Sequence, residues 1–87
     1  MILCKYTIYD SALEAYYQDH SMENDNMAIR EFADLSNGDT KIAKNPEDYS
    51  LWRIGTFETT TAELIPQEPT CIAKAHEHVI QFKKNKK

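Results

Sequence analysis

Residues 45–57 read NPEDYSLWRIGTF, and this stretch decides the fold. Asn45 precedes a proline, whose ring disfavours the helical region at the residue before it. Pro46 pre-sets φ for a tight turn, and Glu47 and Asp48 keep that turn in water. From Tyr49 the side chains change type. Tyr49, Leu51, Trp52, Ile54 and Phe57 are aromatic, branched or apolar, and such residues suit a pleated, half-buried surface. Leu51 and Phe57 fall on one side of the strand, Trp52 and Ile54 on the other. Apolar groups on both sides place the strand centrally. It carries the single tryptophan of the chain, and the remaining elements are expected to pack against that ring.

Upstream, residues 2–9 alternate. Ile2, Cys4, Tyr6 and Ile8 point one way, and Leu3, Lys5, Thr7 and Tyr9 the other. Period two with β-branched and aromatic content predicts a half-buried strand ended by Asp10-Ser11. Residues 12–23 fit either a helical turn or an extended loop. Tyr16 and Tyr17 are adjacent, so a regular element buries one and exposes the other. Asn24, Asp25 and Asn26 offer capping oxygens. Ala28, Ile29, Phe32, Ala33 and Leu35 then fall on one stripe, which predicts a helix over 28–35. Arg30 and Asp34 lie on its other side at i,i+4. Asn37-Gly38 ends the helix, with the glycine expected in the left-handed C′ position. Residues 39–44 read as a loop anchored by Ile42.

Downstream, residues 58–61 predict a hairpin turn and residues 62–65 a short strand. Pro66 and Pro69 bracket a loop and make that strand an edge or near-edge one. Ile72, Ala75, Val79 and Phe82 recur at helical spacing and predict a short C-terminal helix, although Cys71, Ala73 and Ala75 also alternate as a strand would. The fold expected is α+β: an antiparallel sheet of about three strands with one helix packed on it and a possible short C-terminal helix.

Eighty-seven residues suffice for one small domain. We assign it to residues 1–82, with residues 83–87 as a basic flexible tail. At 41% hydrophobic residues the core is thin, so a homodimer is expected. No apolar run is long enough to span a bilayer, the N-terminus lacks secretory features, and no membrane partner is expected. Two cysteines, Cys4 and Cys71, do not make a disulfide framework and point to a reducing compartment. Charge is uneven. Residues 1–73 carry five basic and thirteen acidic side chains, a net −8, whereas residues 74–87 carry five lysines and one glutamate, a net +4. A basic tail on an acidic body reads either as an arm that touches something anionic or as a solubilising end.

Catalytic chemistry is poorly represented, and the chain is read as non-enzymatic. There is no Gly-x-Ser-x-Gly elbow, and two glycines cannot build a phosphate-cradling loop. Glu47 and Asp48 read as a solvated corner. His76 and His78 would share a face on a strand and could hold a metal with Cys71 or His20. On the favoured helix they diverge, so no metal and no cofactor is expected. Single-stranded nucleic acid needs cations that track phosphates and flat rings that receive bases. Lys83, Lys84, Lys86 and Lys87 supply the cations, with Arg30 and Arg53 near the rings. Exposed members of Tyr6, Tyr9, Tyr16, Tyr17, Tyr49 and Trp52 supply the platform, Tyr16 and Tyr17 foremost. For any one ring, a place in the core is the plainer reading.

Specific motifs add to this. A strand ending in YD, the helical run AIREFAD, the turn NPEDY and the strand LWRIGTFE follow one another in that order. Together they resemble the small nonstructural protein of gokushovirus-type microviruses, the single-stranded DNA phages that include phages of chlamydia and spiroplasma. The likeness runs from Ile8 to about Ala75. It departs at HSMEND before the helix and at the Thr-Thr-Thr hairpin. The resemblance implies a nonstructural protein in the cytoplasm of a bacterial host, binding single-stranded DNA in genome replication or packaging. It brings no catalytic residues. The second reading is an adaptor that docks on a replication protein through its acidic face.

Overall fold

The computed structural model describes residues 1–79. Seven regular elements follow in order: β1 (Ile2–Asp10), β2 (Ala15–Tyr16), β3 (His20–Met22), α1 (Asp25–Asn37), α2 (Lys41–Lys44), β4 (Tyr49–Glu58) and β5 (Leu64–Lys74). Single 3₁₀ turns occupy Pro46–Asp48 and Ala75–Glu77. The sheet is antiparallel with order β2-β1-β4-β5, and β3 pairs with β1 alongside β2. It therefore has five strands, not the three or so expected, because residues 15–22 pair with β1 in two short pieces. The α+β class holds.

β4 is central, between β1 and β5, as residues 45–57 predict. The expectation that the chain packs around Trp52 fails. Trp52 is half-buried on the face away from the helices, and the buried core lies on the other face. There Tyr6, Leu51, Tyr49, Ala73 and Ala75 meet Ala28 and Phe32 of α1 and Ile42 of α2. Leu51 lies opposite Ile8 and Tyr49 opposite Asp10, so alternation carries the core stripe from β1 to β4.

α1 begins one residue after Asn24, whose Oδ1 accepts from the Met27 amide at 2.9 Å. Its end differs from the expected left-handed glycine, since Gly38 has φ −99°. Side chains satisfy the last carbonyls instead. The Thr40 hydroxyl donates to the Leu35 carbonyl (2.6 Å) and Asn37 Nδ2 to that of Ala33 (2.8 Å). Thr40 also accepts from the Ala43 amide and so caps α2, which replaces the loop expected over 39–44. Arg30 and Asp34 are exposed and form no ion pair with each other.

The hairpin after β4 is tied by the Ala62 amide to the Glu58 carbonyl (2.8 Å) and by the Glu58 amide to the Glu63 carbonyl (2.9 Å). Ala62 takes φ 64°, which closes the turn without a glycine. β5 then runs through both prolines, where a loop was expected, and continues across the expected C-terminal helix to Lys74. Both prolines are tolerated because β5 is the sheet edge. The alternation of Cys71, Ala73 and Ala75 prevails over helical spacing because Ala73 and Ala75 fill core positions. Phe82 lies outside the described residues, as do Lys83, Lys84, Lys86 and Lys87.

Both ladders of β4 slip at the same level. Opposite β1 the register shifts between Lys5 and Tyr6, and opposite β5 it shifts between Arg53 and Gly55, with a further shift between Leu51 and Trp52. Ile54 is the unmatched residue of β4. Gly55 is required beside it, since a Cβ there would stand 2.5 Å from the Ile65 carbonyl oxygen.

Candidate nucleic-acid interface

Alternation along β1 sends Leu3, Lys5, Thr7 and Tyr9 to the face opposite the helices. Register then assigns neighbours. Tyr9 lies opposite Tyr16 of β2, and Thr7 opposite Trp52 of β4. Their rings gather there: Tyr9 and Tyr16 at 4.6 Å between centroids, Tyr16 and Trp52 edge-to-face at 6.3 Å. Tyr16 remains 51% exposed. The Trp52 indole N–H donates to the Ser50 hydroxyl at 2.8 Å, which holds the ring across the strand. No described helix covers this face.

Two shallow depressions flank Tyr16 and Trp52. The first is lined by Tyr9, Ser50, Trp52, Lys74 and His76, with Glu47 and Asp48 at its side. Lys74 stands opposite Ser50 and has no ion pair among the described residues. The second, of about 400 Å³, is lined by Thr7, Tyr16, Tyr17, Gln18, Asp19, Ile54 and Pro69. Lys5 bonds Asp19 Oδ2 at 2.6 Å, and that contact holds the Asp19 carboxyl below its usual range. The Lys5 ammonium also sits 5.9 Å from the Phe57 ring centroid.

The sequence-predicted site residues divide. Tyr16 lies on the open face. Tyr17 does not: its ring turns to the helix layer, edge-to-face with Tyr49 at 6.2 Å and under Lys41 Nζ at 5.4 Å. Its hydroxyl donates to Asp10 Oδ2 at 3.4 Å. Arg53 is also on the helix side, because it pairs with the buried Tyr6. It forms an ion pair with Asp25, whose Oδ1 accepts from the Tyr6 hydroxyl at 2.7 Å. The Tyr6 hydroxyl and then Arg53 hold the Asp25 carboxyl below its usual range, and Asp25 raises the Arg53 guanidinium. Arg53 is thus committed to the fold. Arg30 is exposed on the outer side of α1, away from the ring strip. The expectation that Arg30 and Arg53 flank the rings is therefore corrected. Lys83, Lys84, Lys86 and Lys87 are outside the described residues.

Sequence reasoning gave no role on this face to Lys5, Gln18, Asp19, Pro69 and Lys74; it put Ile54 on the side of Trp52 and weighed His76 only as a metal ligand. Of the first five, only Lys5 carried a signal, its place beside Thr7 and Tyr9 in the β1 alternation. Among the described residues no group of three His, Cys, Asp or Glu side chains could hold a metal ion. Cys4 and Cys71 are both free.

The family model described as Phage ORF5 protein matches residues 4–78. The chain belongs to the phage ORF5 protein family. This ORF5 match runs from Cys4 of β1 past the end of β5 and hence takes in the whole ring strip. It makes the chain a phage protein. No curated protein and no solved structure matches it. No helix among the described residues is long and apolar enough to cross a membrane.

Proposed function

We propose that this phage protein binds single-stranded DNA without catalysing a reaction, during genome replication or packaging of a microvirus of the gokushovirus type. It would act in the cytoplasm of the bacterial host. The observation that carries the reading is the strip of Tyr9, Tyr16 and Trp52 on one sheet face, with Tyr16 exposed and Tyr9 and Trp52 half-buried beside it. Rings on an open sheet receive unpaired bases by stacking, which is indifferent to sequence. Lys74 lies beside the strip, and Lys83, Lys84, Lys86 and Lys87 would add the salt-sensitive attraction to phosphates. The pairing of two protomers belongs to the same proposal, with exposed Ile2, Leu64 and Ile65 as apolar surface for it.

Titration of labelled oligothymidylate at several salt concentrations tests the reading. Tyr16→Ala is expected to weaken binding roughly tenfold, the worth of one stacked base. Removing residues 83–87 is expected to flatten the salt slope by up to about 3, at about 0.7 per phosphate contact on single strands. An affinity indifferent to both changes overturns the reading.

The adaptor reading draws on the other layer. Glu31, Asp34 and Asp39 are exposed on and beside α1, with Asp39 carboxylate 98% accessible. It predicts no DNA affinity and a replication protein retained through this acidic side.

A further inference from the structure

The second depression beside Tyr16 is built by irregularity. On β4 the unmatched Ile54 enters its lining. On β5 the pairing jumps from Thr70, opposite Arg53, to Pro66, opposite Gly55, which leaves Gln67, Glu68 and Pro69 outside the ladder. Pro69 enters the lining from that side. Breaks of this kind re-aim side chains and concentrate beside binding sites. Two breaks at one level, opening onto one hollow, are a more specific arrangement than an exposed patch.

The lining is graded. Ile54, Pro69 and the Tyr16 ring are flat or apolar, and Thr7 is buried with its hydroxyl donated to the Tyr17 carbonyl at 2.6 Å. Besides Thr7, the polar residues of the lining are Tyr17, Gln18 and Asp19. Asp19 is anionic and half-exposed, and Lys5 occupies one of its oxygens. A carboxylate offers about four lone-pair sites, so most of its accepting capacity remains. Lys5 in turn stands where it lowers the cost of bringing a phosphate near that carboxylate.

The volume of about 400 Å³ is within the range of roughly 300–1,000 Å³ that receives small ligands. An anionic acceptor over an apolar floor selects for N–H donors. Among nucleobases, guanine presents two adjacent donors on its Watson–Crick edge, N1–H and the N2 amino group. Thymine presents two carbonyls around a single N–H and would set them against the carboxylate.

We propose that the hollow bounded by Tyr16, Ile54, Pro69, Gln18 and Asp19 is a base pocket that prefers guanine, held on the Asp19 carboxylate while its neighbour in the strand stacks on the Tyr16–Trp52 strip. This rests on the single-stranded DNA reading and deepens it: the strip gives affinity, and the pocket gives base preference. Recognition of splayed bases by their Watson–Crick edges is the usual way single strands are read.

The test uses the full chain and four labelled twelve-nucleotide strands: oligothymidylate, and the same strand with one central guanine, adenine or cytosine. The guanine strand is expected to bind about tenfold more tightly than oligothymidylate, the worth of one good bidentate contact. In Asp19→Asn that ratio is expected to fall to near one while oligothymidylate binding is kept. Gln18→Ala, at an exposed position, is a second variant with the fold unperturbed. It is expected to reduce the ratio without abolishing it. Wild-type protein that binds all four strands equally overturns the pocket and leaves the DNA reading intact. A guanine preference that survives Asp19→Asn also overturns it. Failure to bind any strand overturns both.

Discussion

Asp25 serves two partners at once, the Tyr6 hydroxyl and the Arg53 guanidinium. Tyr6 is fully buried, so Asp25→Ala would leave a buried hydroxyl without its acceptor. The expected loss is about 1–3 kcal/mol, read from urea unfolding. The sign of the pH dependence follows from the same geometry. The folded carboxyl is held below its ordinary range. Its contribution is therefore complete above the unfolded value of about 4 and is lost as pH falls through the folded one. Stability is expected to drop in acid below about pH 4, and Asp25→Asn is expected to flatten that limb of a pH series. None of this was legible in the sequence. Arg53 and Asp25 are 28 residues apart, and only the sheet register brings them together. The Arg30–Asp34 pair that local spacing suggested does not form, as suits an exposed pair worth little.

At the scale of elements, period two was legible where one face is buried. β1 alternates, β4 does so as far as Arg53, and both strands lie where the pattern places them. The slip at Ile54 then sends Phe57 opposite Leu3, to the other face from Leu51, where sequence spacing had put the two on one side. The stripe of α1 was legible for the same reason, since Ala28 and Phe32 fill the core. Short pieces were not. β2 and β3 exist because β1 offers a free edge, not because residues 15–22 have a pattern of their own. The start of β5 at Leu64 and its place at the edge were legible, but its run on to Lys74 was hidden by the prolines, which forbid a central strand but not an outer one. The breaks that shape the Tyr16 hollow were equally invisible, although Gly55 marks them: an isolated glycine in a strand signals close backbone approach. Gly55→Ala would press a methyl group toward the Ile65 carbonyl oxygen. A loss of about 1–3 kcal/mol is expected by thermal or urea unfolding.

On the scale of the whole molecule, the sheet separates two kinds of surface. One side holds the core and the two helices, the other the strip of Tyr9, Tyr16 and Trp52. A thin core concentrates its energy in few side chains. Phe32→Ala is expected to cost about 3–5 kcal/mol, a large share of what so small a domain has. Trp52→Ala is expected to cost less, since that ring lies outside the core. The contrast is read from the two unfolding curves. The aromatic half of the candidate site could be foreseen as a set of rings. Which rings are uncovered depended on register, which assigned Tyr16 and Tyr17 to opposite sides.

The prolines of β5 have a consequence for company. An outermost strand normally invites a neighbour's backbone to continue the ladder. Pro66 and Pro69 strip amide hydrogens from that rim, so strand-by-strand growth into ribbons finds a broken template. A small protein can then leave the Tyr16 ring in water, and Tyr9 and Trp52 half-covered beside it, without its margin becoming a seed for polymerisation.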